Sequence, residues 1–256
     1  MKDALLTVSF GTTHEDAEQS CIRPVEDALR AAFPDWEVCR AWTSRIIVRR
    51  MAARGTVIEN EQEAINRLRS EGREKIVIAS THIIPGQEYD RLTEAAGDLP
   101  VSAPLLSTED DLMWMAGLLH DVAYEEGRTL LVMGHGTEHR ADAVYAGLRA
   151  ALPETVKLAC VEGEYGLEGI LDDLEAVPGR RLTLMPLMLV AGDHAKNDLA
   201  GDDDSWKTRL LARGFDVNVR LQGLGALQPV QQRIVEKVGR IIRNYGMPEN
   251  RRPYGL

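Results

Sequence analysis

Short apolar runs alternate with amphipathic stretches of helical length from one end of the 256-residue chain to the other. That alternation restricts the chain to βαβ units. Strands buried on both faces read as near-continuous apolar runs, and parallel strands need a crossover between them, usually a helix. The fold class is therefore α/β, with mostly parallel sheets flanked by helices. Strands are predicted at residues 4–9, 37–41, 75–80, 101–105, 129–133, 157–161, 181–186 and 216–221. Helices are predicted at 15–32, 61–70, 110–125, 142–151, 206–212 and 229–243.

The two halves of the chain resemble each other. Leu5-Leu6-Thr7-Val8-Ser9-Phe10-Gly11-Thr12 parallels Leu130-Leu131-Val132-Met133-Gly134-His135-Gly136-Thr137, each an apolar strand running into a Gly-Thr turn. Further on, Ile84-Pro85-Gly86-Gln87-Glu88 parallels Val190-Ala191-Gly192-Asp193-His194. Phe10 thus takes the place of His135, and Glu88 that of His194. The expected organisation is two similar lobes, 1–127 and 128–256, with a ligand in the cleft between them. In parallel sheets the ligand-facing residues collect at the carboxyl ends of the strands, where His135, Glu162, His194 and Glu88 all fall.

Composition narrows the function. A formal net charge of −10 argues against a general nucleic-acid binder, which needs a basic face to neutralise phosphates. The apolar run that opens the chain is too short for a membrane span or a signal-peptide core, so a cytoplasmic protein is expected. Cys21, Cys39 and Cys160 lie far apart, with neither a disulfide framework nor a zinc-knuckle spacing. A homo-oligomer is compatible with all of this.

Two imidazoles and a carboxylate, from His135, His194 and Glu162, form a ligand set suited to borderline ions such as Co²⁺, Ni²⁺, Fe²⁺ or Zn²⁺. Glu164, two residues from Glu162, competes for the carboxylate role. Gly134 and Gly136 flank His135 with residues lacking Cβ, allowing a large flat ligand close to the backbone; a tight turn whose histidine bonds a nearby carbonyl is the alternative. His135 can also accept a proton near neutral pH. His82 is placed on the cleft wall. His14 and His139 read as outer supports or solvent-facing groups, and His120 as structural. The arginines of the segment 43–54, Arg45 first among them, make a basic face able to grip carboxylates. Asp202-Asp203-Asp204 lacks the spacing of a calcium loop and reads as the approach to a helix capped by Asp204 or Ser205. Gly223-Leu224-Gly225 is too short for a dinucleotide fingerprint.

Several stretches carry a family resemblance: Ser9-Phe10-Gly11-Thr12, Ala41-Trp42-Thr43-Ser44, Met133-Gly134-His135-Gly136, and above all Met185-Pro186-Leu187-Met188-Leu189-Val190-Ala191-Gly192-Asp193-His194-Ala195. With them the chain resembles the anaerobic-type sirohydrochlorin cobaltochelatases of corrinoid biosynthesis over nearly its whole length. The resemblance implies sirohydrochlorin in the cleft and Co²⁺, as substrate metal, on His135, Glu162 and His194. It implies His135 as proton acceptor, with Glu88 on the opposite side serving metal passage or proton removal. Phe10, Arg45, His82, Gly134 and Gly136 become candidate contacts to the macrocycle. No organic cofactor or nucleotide is implied. Two rivals stand beside it: a chelatase of the same architecture for Fe²⁺ or Ni²⁺, and a non-catalytic carrier of metal or tetrapyrrole. A hydrolase or phosphoryl-transfer enzyme lacks an activated nucleophile or P-loop.

Overall fold

The computed structural model describes residues 2–245; the rest of the second expected lobe, 246–256, lies outside them. Two parallel sheets form the frame. The first has the order β2–β1–β3, from Trp36–Trp42, Asp3–Ser9 and Ile76–Ser80; the second has the order β5–β4–β6–β7, from Val156–Cys160, Thr129–Gly134, Arg181–Pro186 and Asp216–Val219. The central strands β1 and β4 are almost wholly buried, which is why their sequences read as unbroken apolar runs.

Backbone pairing turns the internal repeat into a register. At the carboxyl end of β1, the Thr43 and Ser44 N–H groups donate to the Ser9 and Phe10 carbonyls (2.9 and 3.2 Å); at the end of β4, those of Val161 and Glu162 donate to Gly134 and His135 (3.0 and 2.8 Å). Past β3, Thr81 N–H donates to Val8; past β6, Leu187 N–H donates to Met133. Seven residues beyond each of these donors stand Glu88 and His194. The first lobe thus carries Phe10, Ser44 and Glu88 where the second carries His135, Glu162 and His194.

A clean division near residue 127 does not follow the packing. The Glu109–Glu126 helix, which precedes that point, packs on β4, β5 and the Ala143–Ala151 helix of the second lobe. The carboxyl-terminal Gln228–Asn244 helix returns to pack on β3 and the Arg23–Ala32 helix of the first. One apolar core consequently runs through both lobes, joining Leu5, Leu29 and Val77 to Leu119, Leu130, Leu158 and Val238. Periodicity tells which face of a helix is buried, not which sheet buries it.

Asp111 pins the two exchanged helices together. Its buried carboxylate accepts from Lys237 (2.7 Å) and Arg233 (2.8 Å) on one side and from the Ser107 and Thr108 N–H groups on the other. Burial alone would raise its pKa, but Lys237, the Ser107 amide and Arg233 outweigh it and hold the carboxyl well below the usual range. A group with a depressed native pKa stabilises the fold above its unfolded pKa, about 4, and that contribution is lost as pH falls below it. Asp111→Asn strands two cations and is expected to cost about 3 kcal/mol at neutral pH. In acid the gap from the parent protein should narrow, a trend that urea denaturation at a series of pH values measures.

Three local expectations are corrected. Residues 101–105 form only a single bridge, Val101 to Ile78, because Pro104 offers no N–H to extend the ladder. The helix expected over 15–32 contains a π-turn at Glu18–Ile22, immediately ahead of Pro24, whose ring would crowd an ordinary turn and which lacks the N–H to bond it. Glu88 does not lie in a loop but in the first turn of a helix, Gln87–Ala96, with Leu92 and Ala96 as its buried face. Ser205, not Asp204, caps the Trp206–Ala212 helix by accepting from Thr208 N–H.

Candidate metal centre

His135 follows β4 directly, Glu162 lies just past β5, and His194 opens the turn ahead of the π-helical segment Ala195–Leu199. The strand order places β4 between β5 and β6, so all three residues reach one sheet edge. The imidazoles of His135 and His194 lie edge to face with ring centroids 4.7 Å apart. Glu162 Oε2 stands 3.9 Å from His135 Nδ1, beyond hydrogen-bond distance. Glu164 is not brought into this contact; its N–H faces the Asp142 carboxylate instead. The trio is open rather than closed. Among the described residues no three His, Cys, Asp or Glu side chains are drawn together at metal-holding distances.

The neighbours of both histidines fix which nitrogen is free. His135 Nδ1 lies 2.8 Å from the Gly136 carbonyl, and His194 Nδ1 lies 2.6 Å from Asp198 Oδ2. A carbonyl or a carboxylate only accepts, so each Nδ1 carries the proton and each Nε2 keeps a lone pair for a metal or a proton. Asp198, four residues beyond His194, is an orienting partner of the kind metal-binding histidines use. The sequence reading passed over it, although the i, i+4 spacing was there to be read. Were His194 to hold a divalent metal ion, Asp198→Ala would be expected to weaken that binding about 10- to 100-fold, as equilibrium dialysis with Co²⁺ would show.

The glycines around His135 answer to packing. A Cβ on Gly134 would sit 2.7 Å from the Tyr145 ring, and one on Gly136, where φ is +78°, would sit 1.8 Å from the Glu162 carbonyl oxygen. Both positions are filled by protein, so the tight-turn reading explains them without a ligand approaching the backbone. Gly136 lets the strand ends cross closely enough to set Glu162 beside His135.

The other candidates belong to the first lobe. Phe10 projects at 47% exposure from the end of β1, in the position matching His135. Arg45 is not free: both of its terminal nitrogens bond the buried Glu61 carboxylate, at 2.8 and 2.5 Å. His82 is largely buried within the first lobe, with Nδ1 3.0 Å from Ser80 Oγ, Nε2 3.5 Å from Thr43 Oγ1, and its ring edge-on to Tyr89. Loss of solvation lowers its pKa to about 4, which keeps it neutral near pH 7. Glu88 accepts from Arg91 through Oε1 (2.8 Å), while Oε2 is buried and meets no hydrogen-bond partner among the described residues.

His14 and His139 are not solvent-facing: each joins the lobes. His139 Nε2 lies 3.2 Å from Asp90, and His14 Nε2 lies 2.6 Å from Asp193. Lys196 reaches both His14 Nδ1 and Asp16. These pairs link residues 49 to 182 positions apart in sequence, so no local pattern announced them.

Comparison with known proteins gives the family. The model of the cobalt chelatase family CbiK matches residues 3–243. This chain belongs to that family. A sirohydrochlorin cobaltochelatase from Salmonella typhimurium is 37% identical over 88% of the chain and 90% of its own length. A second, CbiKC from Nitratidesulfovibrio vulgaris, is 32% identical over 84% and 81%. In fold the chain resembles CbiX, described as the terminal enzyme of siroheme biosynthesis in denitrifying bacteria. The TM-score is 0.55 at 19% identity, covering 93% of this chain and 98% of that one. The protein is thus a metal chelatase with the two-lobed α/β architecture read from the sequence.

Proposed function

We propose that this chelatase inserts Co²⁺ into sirohydrochlorin, with His135, His194 and Glu162 as the landing site for the incoming ion. The observation that carries the reading is the pair of Nε2 lone pairs, held free by the Gly136 carbonyl and by Asp198, beside the exposed Glu162 carboxylate. Two imidazoles and a carboxylate hold a borderline divalent ion firmly enough to collect it. By leaving the shell open they allow it to be passed on.

Insertion exchanges protein ligands for the macrocycle nitrogens and releases two pyrrole protons. No electron moves, so no redox cofactor is needed, and exchange onto four chelating nitrogens can run downhill without a nucleotide. A nitrogen bound to metal cannot also take a proton. His135 therefore serves the two roles in turn, or shares the proton with His194 or Glu88, whose buried Oε2, without a partner among the described residues, suits an acceptor. Three free thiols, Cys21, Cys39 and Cys160, accord with a reducing, cytoplasmic setting.

Anaerobic absorbance spectroscopy of sirohydrochlorin with Co²⁺ and catalytic amounts of protein tests the reading. Multiple turnovers above the spontaneous rate are expected. Preference for Fe²⁺ or Ni²⁺ in the same assay would reassign the metal, and binding without turnover of any metal would leave a carrier.

A further inference from the structure

The Arg45–Ala53 helix is where the pseudo-symmetry of the lobes breaks. In the second lobe Glu162 is followed by a loop and a short 3-10 turn, Leu167–Ile170; in the first, the matching Ser44 caps a helix by accepting from Ile47 N–H. No residue of this helix is fully buried. Ile47, Val48 and Met51 lean on the core, and Arg45 ties the helix to Glu61. The opposite face carries Ile46, Arg49 and Arg50, spaced i, i+3, i+4, and all three are exposed.

Arg50 shows which way that face looks, and Ile46, one turn before it, shares the direction. Arg50 Nη1 lies 3.9 Å from Asp193 Oδ2, across the cleft and one residue from His194. Ile46, 58% exposed, stands two residues past Ser44, whose N–H is bonded to the Phe10 carbonyl. Arg49 forms no ion pair among the described residues and spends only its Nε on the Arg45 carbonyl. The cleft thus has metal ligands and carboxylates on one wall. On the other it has two exposed apolar side chains, Phe10 and Ile46, beside two guanidinium groups.

We propose that this face of the helix holds the macrocycle: Ile46, with Phe10, takes the apolar ring, and Arg49 and Arg50 take the carboxylates on its rim. Arg45, spent on Glu61, takes no part. This rests on the sirohydrochlorin reading above and divides the labour between the lobes, the first gripping the organic substrate and the second the ion. Asp193 engages Arg50 only loosely, at 3.9 Å; a substrate carboxylate offers a forked partner at closer range. Because the arginines are exposed, the grip weakens with salt.

The test titrates metal-free sirohydrochlorin, under anaerobic conditions, into the parent protein, R49Q/R50Q and I46S, and follows Co²⁺ binding to each by equilibrium dialysis. The double arginine variant is expected to bind the macrocycle about 10-fold or more weakly, the scale of a lost charge-assisted hydrogen bond, and its deficit should shrink at high salt. I46S should lose affinity independently of salt. Co²⁺ binding should stay at the parent level in both, which also shows that the fold is intact. Unchanged macrocycle affinity in R49Q/R50Q, or Co²⁺ binding lost while macrocycle binding is kept, overturns the proposal. A parent protein that binds Co²⁺ but no sirohydrochlorin overturns the functional reading beneath it, an outcome told apart by the parent titration alone.

Discussion

His135→Ala is expected to lower multiple-turnover Co²⁺ insertion by about 100-fold or more, the range seen when a positioned general base is removed. The loss comes from two sources at one atom. Nε2 of His135 is left free by the Nδ1 bond to Gly136 and, in the proposed landing site, shares the ion with His194, whose ring centroid is 4.7 Å away. Removing it leaves one imidazole to hold the ion and one fewer acceptor for the pyrrole protons. Macrocycle binding, which involves the other wall of the cleft, should survive within a few-fold. That separates the enzyme from a carrier: in a carrier, the same substitution reduces binding and there is no turnover to lose. His194→Ala provides the comparison. It removes a ligand but leaves His135 as acceptor, so excess Co²⁺ should restore more of its rate than in His135→Ala. Equal, incomplete rescue of both variants would mean that His135 is a ligand and nothing else.

Much of this site was legible in the sequence because it is written twice. The match of Phe10 with His135 and of Glu88 with His194 came from aligning the halves, and the hydrogen bonds at the ends of β1, β3, β4 and β6 reproduce that alignment residue for residue. A repeat constrains register where a single motif cannot. What escaped was the identity of partners. Arg45 had the spacing of a substrate-binding residue, yet Glu61, also on a helix, claims it. His14 and His139 looked peripheral because Asp193 and Asp90, which they bond across the cleft, are far away in the chain. The exchange of the Glu109–Glu126 and Gln228–Asn244 helices was hidden for the same reason: amphipathic spacing reports that a face is covered and is silent about the cover. The Gln87–Ala96 helix was lost behind Pro85 and Gly86, which announce a turn but also a helix start.

Gly136→Ala should be the most damaging small change in the molecule, and its cost has two separable parts. With φ at +78°, any side chain is strained at this position, by about 1–2 kcal/mol. Gly127 provides the measure of that part alone: its φ is +61°, and a Cβ there meets nothing within 4 Å. At Gly136 the new Cβ would lie 1.8 Å from the Glu162 carbonyl oxygen and 2.9 Å from Cys160 Cβ. Neither neighbour is a flexible side-chain end, so the backbone past β5 must retreat and give up the 2.8 Å bond from Glu162 N–H to the His135 carbonyl. Strain, displaced backbone and the lost bond together should cost roughly 4 kcal/mol or more, placing this variant among the most severe of single substitutions. In a chain of this size that lowers the melting temperature by about 10 °C, against a few degrees for Gly127→Ala. The displacement also carries Glu162 away from His135, so Co²⁺ affinity should fall in Gly136→Ala and not in Gly127→Ala. Equal melting points for the two variants would mean that the strands do not cross as closely as described. A destabilised Gly136→Ala protein with unchanged Co²⁺ affinity would remove Glu162 from the ligand set and leave the ion to the two histidines.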